Sequence, residues 1–481
     1  MFDLLANTLL SFRECFSREQ PFRCFVLLIL GFILRDEHLG VTSAIRALDI
    51  SHFWYPRLLR FFRSDSVNTE KLRLFWYKTV KNSGLLIKKN GRCILIGDGV
   101  KEAKEGRRMP GSKKHHQESE DMSKPKYIYG YNFGAVDILV GNERQTFSLP
   151  LLKNIQDGLR DTSEWEGSKY SKESHIVQMI TCGHKISQVV GKSYFLLDRY
   201  FLAGPGLVRL NALNASDPDK QLHIVTKTKS NCTAYENPPS RNEHTRGRRR
   251  LKGDSIKLNK LFDHPELFTE SSAYMYGSIE SVQYLCRDLL WGQQLYQKLR
   301  FVLVIRKSEK KTRKTNTEQQ YERCILVSTD LSLSPEDIIE LYACRFKIES
   351  EFREFKQQIG GFDFHFWTAS LEKLNFFKKK NEPDPLTKVT DKDRRRKILE
   401  AAEAIERFVL LANIAMGLIQ MMILNVNSTE EIEALRYLRT HTPGRVSEST
   451  MMYFLRHRFF WGLLQNPHSF VTQYIQYARD A

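Results

Sequence analysis

Two short apolar runs, Cys93-Ile94-Leu95-Ile96 and Tyr194-Phe195-Leu196-Leu197, constrain this chain most, because each is closed by an aspartate. Runs of four apolar residues bounded by polar residues or glycine read as buried strands. Asp98 sits just past the first, in Gly97-Asp98-Gly99, and Asp198 follows the second directly. Between them, the polar, basic stretch from Lys101 to Lys126 predicts a loop. Tyr127–Val140 predicts a strand with glycine irregularities, Gly141-Asn142 a turn, and Glu143–Leu149 the returning strand. Ile176, Ile180, Ile186 and Val190 recur at helical spacing through Ser174–Val190, and Leu222–Thr226 predicts one more strand.

Three sequential strands, a helix and then a parallel strand form the ribonuclease H-like order. The crossover rule sets the strands ending at Asp98 and Asp198 side by side with their ends aligned, and active sites of such sheets lie at strand C-terminal ends. The expected fold class is therefore α/β: a ribonuclease H-like mixed-sheet catalytic core with an inserted subdomain and helical N- and C-terminal regions. Residues 1–85 read as a helical region, either DNA-binding or a small bundle with no ligand, with short helices over Phe22–Ile33 and Val41–Asp49. His52–Phe62 follows, rich in arginine and aromatics. The core occupies 90–228 and 321–375. Residues 229–320 interrupt it with Pro238-Pro239 and the basic runs Arg246–Lys252 and Lys310–Lys314, and read as the inserted basic subdomain. Residues 376–481 are a charged linker over 376–397 and a helical C-terminal region, with Arg394–Asn425 as a helix.

Lys plus Arg total 74 against 56 Asp plus Glu, a net +18, which favours a polyanionic partner. Double-stranded DNA is the partner expected, and a membrane is not. Phe25–Leu34 is too short to span a bilayer, and Phe408–Leu424 contains Asn413 and Gln420, so both read as buried core helices. The N-terminus has no basic n-region. The eight cysteines contain no Cys-x-x-Cys pair, which suits reduced thiols in a cytoplasm and argues against a zinc site.

Ser334–Gln358 predicts one helix, with Ser334 as N-cap, Pro335 at the first position, Asp337 in the first turn and Gly360-Gly361 as its stop. At 3.6 residues per turn, Tyr342, Arg345, Glu349 and Lys356 fall at roughly 0°, 300°, 340° and 320°, and Arg353 joins them at roughly 20°. Leu341, Ile348, Phe352 and Phe355 form a neighbouring apolar stripe that would pack on the sheet. One carboxylate among cations and a tyrosine suits a place where metal and phosphate meet.

The segment from Tyr342 to Lys356 resembles the Tyr–Arg–Glu–Lys signature of DDE transposases of the insertion-sequence-four type. Ile94–Gly99 and Tyr194–Phe201 resemble that family's two aspartate motifs. The likeness continues through Arg107–Glu118, Thr329-Asp330-Leu331 and Phe366-Trp367, over roughly residues 20 to 370. It implies a catalytic and metal-binding triad of Asp98, Asp198 and Glu349, with a large insertion before the glutamate helix. It also implies binding of terminal inverted repeats, cleavage by metal-activated water, a DNA hairpin at the excised end and joining to target DNA. Tyr342, Arg345 and Lys356 would grip the terminal phosphates, and a homodimer would assemble on DNA in a bacterial-type, nucleoid-associated setting.

The chemistry accounts for the residue types. Phosphodiester cleavage needs an activated water or 3′-hydroxyl and a stabilised leaving oxygen, which two divalent ions supply. Mg²⁺, with Mn²⁺ able to substitute, takes carboxylate oxygens and keeps several waters, so two aspartates and a glutamate suffice. Arg353 and the run Arg248-Arg249-Arg250 are further expected DNA contacts. Asp330 is the rival for the second aspartate, but it reads better as a cap or turn at the entry to the helix. His115 and His116 are adjacent and point apart, so they are loop or DNA-contacting residues and not a metal pair. Trp291 and Trp367 read as core aromatics, although the resemblance also implies that a tryptophan can hold a flipped base. Two further readings share this core: a nuclease without strand joining, and a retired transposase that only binds DNA.

Overall fold

The structure, a computed structural model, describes residues 2–38, 40–117, 125–240, 248–293, 295–308, 320–375, 383–426 and 445–480. They form a mixed α/β fold with twelve α-helices and a 13-stranded mixed sheet. Five helices come first: α1 (Phe2–Ser11), α2 (Glu19–Leu34), α3 (Val41–Leu48), α4 (Tyr55–Arg63) and α5 (Thr69–Asn82). Then follow β1 (Lys88–Lys89), β2 (Arg92–Ala103), β3 (Lys113–His116), β4 (Tyr127–Gly141) and β5 (Thr146–Ile155). Helices and strands next alternate: α6 (His175–Val190), β6 (Ser193–Leu197), α7 (Gly204–Ser216) and β7 (Leu222–Lys227). A run of strands comes after them: β8 (Thr233–Tyr235), β9 (Ser255–Lys257), β10 (Thr269–Met275), β11 (Ser278–Trp291), β12 (Gln297–Ser308) and β13 (Gln320–Ser328). The chain closes with α8 (Pro335–Cys344), α9 (Lys347–Gln357), α10 (Lys392–Asn425), α11 (Glu448–Gln465) and α12 (Phe470–Asp480).

The chain divides into two units. Met1–Ile87, Gly99–Gln178 and Ile348–Ala481 make the first, and Lys88–Asp98 and Met179–Lys347 the second. The first is organised round α10, in which every residue from Ala404 to Leu424 is buried. A helix apolar on all sides belongs in a core. This one is long and apolar enough to cross a membrane, but 94 % of its apolar window is buried inside the protein, as expected of a core helix. It packs on β5, α2 and α4. Its buried Arg407 donates to the carbonyls of Phe61 at 3.0 Å, Phe62 at 2.8 Å and Val67 at 2.8 Å. It thereby gives partners to carbonyls at the end of α4 and in the turn after it. Arg35 does the same after α9, donating to Ile359 and Gly360 at 2.6 and 3.1 Å. Gly360 has φ +59°, and the Gly361 N–H reaches the Phe355 carbonyl at 2.9 Å. The predicted glycine stop is thus a left-handed cap.

The second unit is a sheet edge extended strand by strand. Arg92–Asp98 of β2 runs parallel to β6, and β6 runs parallel to β7. Antiparallel β13, β12 and β11 follow, with β8, β9 and β10 beyond. Segment 229–320, expected as a subdomain of its own, therefore supplies strands to the same unit as β6 and β7. Helix α8 packs over β10, β13, β7 and β6. Ser334 caps it by accepting from the Asp337 N–H at 3.1 Å, as its sequence predicts.

Three expectations change. The single helix Ser334–Gln358 is two: α8 ends at Cys344, and the Arg345 N–H turns back to the Tyr342 carbonyl at 3.1 Å before α9 begins. A constant 100° per residue does not carry across that turn, so Tyr342 and Arg345 do not share one helical stripe with Glu349, Arg353 and Lys356. Asp98 lies inside β2, not past its end, since β2 continues to Ala103. The loop expected over Lys101–Lys126 contains β3, which pairs with β4 from Lys113↔Gly130 to His116↔Tyr127. Residues 118–124 of it, Arg246 and Gly247 of the basic run, all of Lys310–Lys314 and residues 376–382 of the linker lie outside the described residues.

Candidate active site

The second unit brings four of the expected site residues together. Apolar Cys93–Ile96 is buried and holds β2 against β6. Gly97 has no side chain for a physical reason: a Cβ there would meet the Phe195 ring at 2.6 Å. The parallel register ends at Gly97↔Leu197, so Asp98 and Asp198 occupy the next matched positions. Neighbouring strands lie about 4.8 Å apart and matched residues point to the same face. The strands that carry Asp98 and lead into Asp198 therefore lie side by side, as the crossover argument expects.

Arg345, at the turn after α8, donates from Nη1 to Asp98 Oδ2 at 3.1 Å; the two side chains are 15 % and 25 % exposed. The Tyr342 hydroxyl lies in hydrogen-bonding reach of Arg345 and feels the charge of Asp198. Burial pushes the Tyr342 phenol up to about 12, so it remains a neutral hydroxyl. Asp198 is half-buried and opens a short turn, its carbonyl accepting from the Phe201 N–H at 3.0 Å.

Glu349, Arg353 and Lys356 lie in the first unit, on α9, four and seven residues apart. They share one face of that helix. Glu349 is exposed. Arg353 is exposed and pairs with Glu354 at 3.1 Å. Lys356 reaches Glu102 at 2.9 Å and donates to the Lys101 carbonyl at 3.3 Å. Among the described residues no group of three or more His, Cys, Asp or Glu is gathered as a metal centre. Asp98 and Asp198 by themselves suit Mg²⁺, which commonly takes one or two carboxylates and fills its shell with waters and substrate phosphates.

Arg248, Arg249 and Arg250 are exposed and outside regular structure. Two residues on, Lys252 anchors the segment by lying 3.7 Å over the Tyr235 ring. Asp330 is a turn residue: Oδ1 accepts from the Ser332 N–H and hydroxyl at 2.9 and 2.6 Å, and Oδ2 from Tyr194 at 3.0 Å. Burial works to raise its carboxyl, but these hydrogen bonds hold it below the usual range. His115 is buried and bonded to the Gly130 carbonyl, and burial lowers its imidazole to about 4; His116 is exposed. Trp367 is 57 % exposed, so it is not a core aromatic. It lines a cavity of about 790 Å³ with Arg60 and Arg63.

One residue escaped the sequence reading. Leu197 pairs with Thr226, so Lys227 follows at the position beside Asp198. The signal was present: the predicted strand Leu222–Thr226 is followed directly by Lys227, as Tyr194–Leu197 is by Asp198. No family model matches the chain, and no curated protein matches it either.

Proposed function

We propose that this protein is a DNA transposase with a ribonuclease H-like core. It would cut at insertion-sequence ends and join the freed 3′-ends to target DNA as a homodimer. The observation that carries the reading is the matched register of Asp98 and Asp198, with Arg345 and Tyr342 beside them. The order of elements supports the same core: a hairpin of β4 and β5 after β2, a helix, β6 parallel to β2, another helix, and β7 parallel to β6.

Asp98 and Asp198 would hold Mg²⁺, with Glu349 as the third ligand, and the ion would supply Lewis-acid stabilisation and an acidified water. By holding the ion, Asp98 and Asp198 would set where the scissile phosphate lies relative to the sheet. Arg345 keeps the Asp98 carboxylate oriented, and its guanidinium has the planar geometry that suits a phosphate oxygen. Tyr342 offers a neutral hydroxyl that orients Arg345 and can hydrogen-bond the same phosphate. Arg353, Lys356 and Arg248–Arg250 supply further phosphate contacts.

The test is incubation of end-containing DNA with the protein, with and without Mg²⁺, followed by separation of nicked, hairpin and joined species. Mg²⁺-dependent joined product supports the transposase. Cleavage without joining identifies a nuclease, and binding without cleavage sinks both enzymatic readings.

A further inference from the structure

The row that carries Asp98 and Asp198 continues into a cationic groove. Asp198 stands beside Lys227 by register, and Lys227 pairs with Leu326 of β13. β7 stops at Lys227, whereas β13 reaches back to Gln320, so among the described residues its edge at Tyr321–Cys324 has no strand on that side. Hollows of about 440 and 400 Å³ lie along this edge, and Lys227, Arg323 and Cys324 line both. The larger is also lined by Arg199, Lys260 and Asp263, giving four cations to one acid. The smaller reaches Tyr342, and its own charges, Arg306 and Glu322, pair at 2.8 Å.

Among the described residues, none of Arg199, Lys227, Lys260 and Arg323 is in a salt bridge. Arg199, Lys260 and Arg323 are exposed and Lys227 is half-buried; all four line the hollow, with the Arg323 guanidinium 5.5 Å over the Phe262 ring, which lines it too. Like charges gathered in one walled hollow repel each other and are relieved by an anionic ligand. Lys227 joins the hollows at this open edge to the strand row that carries Asp98 and Asp198, and four cations spread along an edge suit a series of phosphates better than one small anion.

We propose that this groove binds the sugar–phosphate backbone of the DNA strand being cut, on one side of the scissile position. Lys227 serves the phosphate nearest Asp198, and Arg323, Lys260 and Arg199 serve those beyond. The inference rests on the reading of the protein as a DNA-cutting enzyme. It adds a track that none of Arg345, Arg353, Lys356 or Arg248–Arg250 provides.

The experiment is titration of a fluorescently labelled, mixed-sequence duplex over a series of KCl concentrations. Each phosphate contact contributes about 0.9 to the log–log slope of affinity on salt. Lys260→Gln/Arg323→Gln should therefore lower that slope by about 1.8 relative to wild type. The charge-conserving pair Lys260→Arg/Arg323→Lys should keep it. So should Lys185→Gln/Lys192→Gln, which removes two exposed lysines elsewhere in the same unit. An unchanged slope in Lys260→Gln/Arg323→Gln, with a normal melting transition, overturns the groove. An equal fall in the Lys185/Lys192 pair overturns it as well. Should the double variant fail to fold, Lys227→Gln decides: its slope should fall by about 0.9, and no fall overturns the proposal. Wild type that binds DNA with the expected salt dependence but cleaves nothing defeats the enzymatic reading and leaves the groove standing.

Discussion

Two clusters of charge in this protein have similar ingredients and opposite surroundings. In the first unit, Lys153 lies between two carboxylates, 2.9 Å from Glu351 and 4.0 Å from Asp137, with all three side chains 0–1 % exposed. Asn413 accepts from the same ammonium at 3.2 Å, Ser148 donates to Asp137 at 2.8 Å, and the Phe355 ring lies 4.1 Å from it. Burial pushes the Glu351 and Asp137 carboxyls up, and Lys153 brings them partly back. In the second unit, Asp98 and Asp198 sit on neighbouring strands with Arg345, Tyr342 and Lys227, all of them half-buried. The first cluster is sealed from solvent, and among the described residues Glu351 Oε2 and Asn413 Nδ2 have no hydrogen-bond partner within it. The second keeps carboxylate oxygens and cations within reach of solvent. Two carboxylates and a cation thus mark a fold-specifying core in one place and a candidate site in the other, and access decides which.

The sharpest way to break this contrast is to remove the open carboxylates. Asp98→Ala or Asp198→Ala should lower cleavage of end-containing DNA by roughly 10³-fold or more, the scale of losing a group that stabilises the transition state. Binding of the intact end should stay near wild type, because cations hold DNA. Asp330→Asn should retain cleavage. Loss of cleavage in a folded Asp330→Asn would make it the better second aspartate, and Mg²⁺-dependent cutting by Asp198→Ala would take Asp198 out of the site.

The sealed cluster should respond in stability. Lys153→Met leaves two buried carboxyl groups without their cation and should cost about 3 kcal/mol. Urea unfolding followed by circular dichroism measures this. A loss within a few tenths of a kcal/mol would mean that the cluster does not hold the fold, and the distinction between the two clusters would fail.

Much of this contrast was legible in sequence, and the illegible part has physical causes. Short buried strands announce themselves by composition, so the runs ending at Asp98 and Asp198 were readable, as were the Ser334 cap, the Gly360 stop and the buried helix through Phe408–Leu424. The break at Arg345-Phe346 carries neither Gly nor Pro, so no local signal marks it. Strands β8–β12 owe their place to pairing between residues distant in sequence, and local pattern does not encode partners. Glu351 looks like any helix glutamate in sequence, since exposure is the default for that residue. Its burial follows from Lys153, 198 residues away.

The exposed run tests whether cations far from any carboxylate row behave as the open cluster's do. Replacing Arg248, Arg249 and Arg250 with Ala should lower the salt slope of duplex binding by up to about 2.7, three contacts at about 0.9 each. A slope equal to wild type would return these arginines to the solvated surface.

Lys356 lies between the two extremes and should show the smallest effect on stability. Its ammonium pairs with Glu102 at 2.9 Å, with side chains 37 % and 22 % exposed. Partly exposed pairs contribute roughly 0–1 kcal/mol, so Lys356→Ala should destabilise by less than about 1 kcal/mol. If the pair is only structural, every DNA step should slow equally or not at all. If Lys356 exchanges Glu102 for a terminal phosphate, initial binding and nicking should persist while hairpin and joined products fall. The pairing adds a control that separates these outcomes: Glu102→Gln frees the lysine without removing it. It should match Lys356→Ala in its small stability loss and match wild type in joining. Following nicked, hairpin and joined species over time on a pre-nicked end compares the three proteins. Wild-type rates of hairpin formation and joining in Lys356→Ala would leave the residue as a surface ion pair.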